Sequence, residues 1–316
     1  MSLAFVFPGQ GSQSVGMLAQ FGAHHPSVRR SSEEASAALG YDLWHLASSG
    51  PAEQLNTTEC TQPAMLAAGV ATWRLWREQG GAVPATVAGH SLGEFTALVC
   101  AGALQFAAAV TLVRERGRLM QAAVPAGSGG MAAILGLDDA LVEAACVEAA
   151  QGEIVEAVNY NAPGQIVIAG QASAVERAIN AAKARGAKRA LRLPVSVPAH
   201  CSLLRGAAAQ FRERLAGVAI AAPAISYLSP VDAAEHGEPE EIRALLVRQL
   251  ASPVRWSATV LALTGRGATQ LVECGPGKVL TALNRRIERR TEISCLALED
   301  NGSLQAALEA TRSTPS

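Results

Sequence analysis

The 316-residue chain is poor in aromatic side chains, at 4%, and in charge, at 17%, and its 26 Lys+Arg nearly balance its 27 Asp+Glu. Few aromatics disfavour stacking on nucleobases, and the charge balance lacks the basic excess that a nucleic-acid surface usually carries. So little charge beside 49% hydrophobic residues also excludes a disordered chain. The six cysteines, at 60, 100, 146, 201, 274 and 295, form no C-x-x-C and no paired histidine spacing, so neither a zinc site nor a redox motif is indicated. No apolar run is long enough for a membrane span: Ala97 to Val113 is interrupted by Gln105 and Thr111 and broken at Gly102, which predicts two buried helices. Met1 to Pro8 offers neither a basic leader nor an apolar signal segment. These absences lead to the expectation of a cytoplasmic, metal-free enzyme with reduced thiols, acting on neither nucleic acid nor membrane.

Strand and helix signals alternate along the chain. Strands are expected at Leu3–Phe7 and Ala85–Ala88, with helices between them and then at about Leu92–Val99 and Ala107–Ala122. The breaker run Val124 to Gly130 marks a boundary. Beyond it the order is strand 131–136, helix 139–150, strands 154–159 and 166–169, helix 174–185 and strand 190–195. That β-α-β-β-α-β order is ferredoxin-like. Ser173 with Glu176 reads as a capping box on the second of these helices, and Gly186 as its stop. Alternation then resumes with strands at Ile225–Leu228, Gln270–Cys274 and Ser294–Leu298, and helices near 240–250, 254–264 and 278–290; the tail from Thr311 should fray. The expected architecture is α/β: a large domain with a parallel sheet, residues 1–126 and 197–316, holding an inserted ferredoxin-like small domain, 127–196, with a cleft between them.

The sharpest chemical signal is Gly89-His90-Ser91-Leu92-Gly93, between a predicted strand and a predicted helix. In that setting G-x-S-x-G is a nucleophile elbow, and the helix N-terminus behind it favours an oxyanion. A nucleophilic serine needs a base. Of the six histidines, His24, His25 and His45 fit surface or packing roles. His90 points away at the turn, and His236 sits in an acidic loop. His200, where the chain re-enters the large domain, is the best candidate. Arg116 is the third outlier. With Leu112 at zero on a helical wheel it falls at roughly 40°, among Val113, Gly117, Leu119 and Met120. A guanidinium on an apolar face needs a buried carboxylate, carbonyls or an anionic ligand. Pro8 to Gln13 and Gly275 to Val279 fail as dinucleotide and phosphate loops and are expected to be tight strand-to-helix turns, the first able to add an N–H to the same oxyanion.

The ordered motifs Phe7-Pro8-Gly9-Gln10-Gly11-Ser12-Gln13, Thr61-Gln62-Pro63, Gly89-His90-Ser91-Leu92-Gly93-Glu94, Arg116-Gly117, Asn159 to Gln165, Val197-Pro198-Ala199-His200, Gln249 with Pro253-Val254, and Gly275-Pro276-Gly277 resemble those of malonyl-CoA:acyl carrier protein transacylases, over residues 4 to 300. The likeness is to the discrete enzyme of bacterial type II fatty acid synthesis. It implies the architecture already read and a ping-pong acyl transfer. Ser91 would carry the malonyl group and His200 would move the proton. The backbone carbonyl of Gln249 would orient the imidazole, and the backbone N–H groups of Gln10 and Leu92 would form the oxyanion hole. Arg116 would hold the malonyl carboxylate. No cofactor is implied: malonyl-CoA is a substrate, and the phosphopantetheine belongs to the partner, an acidic acyl carrier protein that docks transiently on a monomer. Lys183, Arg185, Lys188, Arg189 and Arg192, with Arg285, Arg286, Arg289 and Arg290, are candidates for that docking. Ser229-Pro230 departs from the Asn-Asn common in relatives. The other enzyme class sharing the elbow, a serine esterase or thioesterase, would pair an aspartate with the base: Asp138 or Asp139 with His200, or Asp232 with His236.

Overall fold

A computed structural model describes residues 2–195 and 197–312. Its first sheet contains β1 (Ser2–Phe7), β2 (Thr86–Gly89), and three strands from the last third of the chain; its second lies wholly between residues 129 and 192. In chain order the second sheet has β3 (Gly129–Leu135), β4 (Val155–Ala162), β5 (Gln165–Gln171) and β6 (Arg189–Arg192). The first is completed by β7 (Ser226–Leu228), β8 (Ala268–Glu273) and β9 (Ser294–Ala297).

The order β7-β2-β1-β8-β9 is parallel throughout. Helices on both faces of a parallel sheet demand strands apolar on both sides, and Ala4 to Phe7 of β1 are fully buried. The chain steps from β1 to β2 on one side and later to β8 on the other. The crevice beyond the strand ends at such a switch point is where α/β sheets bind ligands. Phe7 pairs with Gly89, so the Pro8–Gln13 segment and the serine turn leave the sheet side by side.

The second sheet is antiparallel in the order β4-β5-β3-β6, with helices Asp139–Ala150 and Ala172–Ala184 packed on it. This is the ferredoxin-like arrangement expected from the element order. The fold is α/β, with a hydrolase-like parallel sheet and a separate ferredoxin-like unit. Val254 connects the two units: its N–H donates to the Val158 carbonyl of β4 at 2.8 Å and its carbonyl accepts from Tyr160 N–H at 2.9 Å, while its side chain shares a core cluster with Ala4 and Val6 of β1.

Two local expectations need correction, and two helices fall where none is expected. The helix at Ala172–Ala184 has no capping box: β5 runs straight into it, Gln171 takes the N-cap position, and the Ser173 hydroxyl donates to Glu153. A box occurs instead between Asp300 and Ser303, opening a helix Asn301–Thr311 where none is expected; the tail expected to fray from Thr311 falls mostly on residues 313–316, outside the described residues. A second unexpected helix, Arg205–Ala216, turns Phe211 against Phe95, ring centroids 6.1 Å apart. Pro8–Gln13 leads into turns, and the next helix starts only at Ala19.

Candidate active site

The G-x-S-x-G spacing is dictated by contact. A Cβ on Gly89 would come within 1.9 Å of the Gly93 carbonyl carbon, and one on Gly93 within 2.0 Å of the Phe7 carbonyl oxygen. Only glycines let β2 and the helix Gly93–Cys100 close so tightly. Between them Ser91 is held at φ 51°, a left-handed conformation that costs a non-glycine residue about 1–3 kcal/mol. His200 carries the same kind of strain at φ 66°, and its N–H is fixed to the Leu250 carbonyl at 3.1 Å.

The two strained residues meet. Ser91 Oγ lies 2.7 Å from His200 Nε2, and His200 Nδ1 lies 2.8 Å from the main-chain oxygen of Gln249. A carbonyl can only accept, so Nδ1 carries the ring proton and Nε2 presents its lone pair to the serine. Burial, reinforced by the charge of Arg116, pushes the His200 pKa down to about 3, so the imidazole is a neutral base over the whole physiological range. No aspartate takes part at that nitrogen. His236 bonds Asp232 and Glu241 instead, so the hydrolase-type pairing Asp232–His236 is formed apart from Ser91, and neither Asp138 nor Asp139 reaches His200.

Arg116, on the helix Phe106–Ala122, is 1% exposed. Its Nη1 donates to Gln62 Oε1 at 2.8 Å, and its Nη2 to Gln249 Oε1 at 2.6 Å. Nη2 also approaches Ser91 Oγ at 3.4 Å. The Nε–H is buried with no partner among the described residues, and no carboxylate touches the guanidinium. Burial lowers its pKa to about 10 against the opposing charge of Glu94, which leaves it a cation. A buried cation held by neutral amides, with a donor to spare, is arranged for an incoming anion.

These groups face a cleft of about 510 Å³ between the two sheets, lined among others by Gln10, Ser91, Leu92, Arg116, His200 and, from the ferredoxin-like unit, Asn159. The backbone N–H groups of Gln10 and Leu92 donate to no acceptor among the described residues, and Leu92 opens the helix behind the serine. Ser91, His200, Arg116, Gln10, Leu92 and Gln249 are thus brought together at one place.

Comparison with known proteins agrees with this geometry. Residues 4–298 match the family described as the acyl transferase domain. The chain is 55% identical to the malonyl CoA-acyl carrier protein transacylase of Salmonella typhimurium over 305 residues, covering 96% of this chain and 98% of that protein. It belongs to that family. The transacylase structure from Coxiella burnetii superposes with a TM-score of 0.97 at 47% identity, covering 99% and 98% of the two chains. A malonyl-transacylase seen in complex with its type II PKS acyl-carrier protein, PlMCAT:AntF, gives 0.96 at 52% identity, covering 98% and 100%. As a member of the transacylase family the chain is an acyltransferase, and no described helix is long and apolar enough to cross a membrane.

Sequence reasoning assigned no role to the groups behind this transacylase site. Gln62, 1% exposed, accepts from Arg116; a polar side chain at the head of the apolar run from Pro63 to Ala68 was the available signal. Asn161 receives His90, whose Nε2 is 2.9 Å from its Oδ1. Glu94, fully buried, accepts from Ser229 Oγ at 2.7 Å, from Tyr227 and from Gln249 Nε2. The Ser229 that departs from the family pattern therefore lies directly behind the site.

Proposed function

We propose that this protein transfers the malonyl group of malonyl-CoA to the phosphopantetheine thiol of an acyl carrier protein by a ping-pong serine mechanism, supplying fatty acid synthesis. The observation that carries the reading is the pairing of Ser91 with a neutral His200 directly beside an unsaturated buried Arg116. His200 Nε2 accepts the Ser91 proton as Oγ attacks the thioester carbonyl. The developing oxyanion meets the N–H groups of Gln10 and Leu92, each worth on the order of 3 kcal/mol in the transition state. The C–S bond breaks, the imidazolium returns its proton to the CoA sulfur, and malonyl stays on Ser91 as an ester. The carrier's thiol then enters, gives its proton to His200, and the steps reverse. The Gln249 carbonyl steadies the imidazole throughout, and Arg116 holds the free carboxylate of the malonyl group.

The chemistry calls for no cofactor, because both thiols arrive with the substrates. Residues 127–196 act as an inserted domain forming one wall of the cleft, and the protein works in the cytoplasm as a monomer that meets the carrier transiently. The malonyl-transacylase structure with a bound acyl-carrier protein supports the choice of partner. The test is isotope exchange: with no carrier present, labelled CoA should enter malonyl-CoA at a rate comparable to turnover. Initial rates against both substrates should give parallel reciprocal plots. No exchange without carrier would overturn the acyl-enzyme.

A further inference from the structure

Gln249 occupies a junction. Its main-chain oxygen accepts from His200 Nδ1 at 2.8 Å, and its side-chain Oε1 accepts from Arg116 Nη2 at 2.6 Å. Its Nε2 donates to the Ser91 carbonyl at 2.8 Å and also to Glu94 Oε2. The chemistry of these partners permits one orientation of the amide. A guanidinium only donates, while a main-chain carbonyl and a carboxylate only accept. The NH₂ end must face Ser91 and Glu94, so the oxygen must face Arg116.

Glu94 supplies the second acceptor at the NH₂ end, beside the Ser91 carbonyl. It lies in the first turn of the helix behind Ser91, is 0% exposed, and has both oxygens occupied, one by Tyr227 and Ser229, the other by Gln249. Burial raises its pKa above the usual carboxylate value, with the three donors and the Arg116 charge opposing the rise. Arg116 and Glu94 are therefore linked through one amide side chain.

We propose that Glu94 is a positioning residue: its carboxylate locks the Gln249 side chain, which fixes the Arg116 guanidinium for the malonyl carboxylate and steadies the Gln249 carbonyl under His200. Glu94 does not line the cleft and makes no hydrogen bond to the Ser91 Oγ. Tyr227 and Ser229 hold Glu94 in turn, and Ser229→Ala leaves the Gln249 link in place. The proposal rests on the malonyl-transfer reading, in which Arg116 matters for malonyl and not for acetyl.

The consequence is a change in selectivity. Glu94→Gln keeps the shape but replaces one carboxylate oxygen by an NH₂ donor, so the Gln249 NH₂ loses its carboxylate acceptor and its hold at that end rests on the Ser91 carbonyl. Misplacing Arg116 penalises malonyl, while loosening His200 penalises both acyl groups. The kcat/KM ratio of malonyl-CoA over acetyl-CoA should therefore fall about tenfold or more in Glu94→Gln. The low-field NMR signal of the His200 Nδ1 proton, identified by its loss in His200→Ala, should shift or broaden. Ser229→Ala should keep the parent ratio. If Glu94→Gln does not fold, Gln249→Ala, which cuts the same link and retains the main-chain carbonyl, should lower the ratio in the same direction.

A folded Glu94→Gln with an unchanged or raised ratio would overturn the proposal, as would an unchanged ratio in Gln249→Ala. Malonyl loading of Ser91 in the parent separates this from the underlying reading. A loaded parent with an unaltered Glu94→Gln defeats only the role of Glu94, whereas a parent that never loads defeats both.

Discussion

Replacing Arg116 by alanine should invert the acyl preference. The guanidinium is 1% exposed, is held by two amide oxygens at 2.6 and 2.8 Å, and has a buried Nε–H with no partner among the described residues. Charge-assisted hydrogen bonds are worth about 1.5–3 kcal/mol each, so the proposed two-pronged grip on the malonyl carboxylate would supply about 3–6 kcal/mol. At about 1.4 kcal/mol per factor of ten, malonyl kcat/KM should fall by about 10² to 10⁴ in Arg116→Ala. Acetyl has no carboxylate to lose. In the parent it must lie beside an unpaired buried cation, and the variant removes that penalty. Ser91, His200 and the Gln10 and Leu92 N–H groups remain, so acetyl transfer should match or exceed the parent's. The assay is release of CoA from malonyl-CoA and from acetyl-CoA with saturating carrier, using protein matched for fold by near-UV circular dichroism. Freed carbonyls of Gln62 and Gln249 should lower stability by about 1–3 kcal/mol each unless water fills the space, so denaturant midpoints belong in the same experiment. Equal collapse of both substrates in folded protein would make Arg116 a structural residue and refute the reasoning.

With its pKa held near 3 by burial and Arg116, His200 should impose no acid limb near pH 6.5; kcat/KM for malonyl-pantetheine, which lacks the CoA phosphates, should be flat from pH 7.5 to 5, and a limb at pH 6 to 7 that moves in Arg116→Ala would contradict the neutral base. The sign for stability is the same: a histidine neutral when folded contributes fully above its unfolded pKa, and the contribution declines as pH falls through the window from 6.5 to about 3. Ala199, on the cleft wall beside His200, leaves room for a branched acyl group, so Ala199→Phe should reduce methylmalonyl transfer more than malonyl transfer; equal losses place selectivity elsewhere. Among the expected docking bases, Arg185 and Arg192 are paired with Glu148 and Glu176, and Arg286 is bonded to Gln165 and the Pro163 carbonyl, whereas Lys188 and Arg189 are exposed. Reversing both of the latter should raise KM for the carrier and leave acylation by malonyl-CoA unchanged, and an unchanged carrier KM would remove this surface from docking.

The nucleophile was legible because its constraint is local. Two glycines that must approach backbone within van der Waals contact, between a strand and a helix, leave a five-residue trace in the sequence. Arg116 was legible because one charge on an apolar helical arc is a contradiction that some partner must resolve. What resolves it was not legible: Gln62 and Gln249 reach Arg116 from 54 and 133 positions away along the chain, and no period or spacing reports such contacts. Glu94 is the sharpest instance. In sequence it is an acid in the first turn of a helix, where an acid is favoured by the helix dipole, and only the tertiary fold buries it under Tyr227, Ser229 and Gln249. The ferredoxin-like unit was readable because each of its elements follows the last with its own breakers. The helix Arg205–Ala216 was missed because five of its twelve residues are polar or charged and Phe211 gains meaning only against Phe95.

The most direct test of the central claim is the intact mass of the protein after brief exposure to malonyl-CoA. A gain of one malonyl group that maps to Ser91, that phosphopantetheinylated carrier protein discharges as malonyl thioester, and that is absent from Ser91→Ala is the predicted result. Transfer by Ser91→Ala at the parent's rate, or a malonyl group mapped to any other residue, would contradict it.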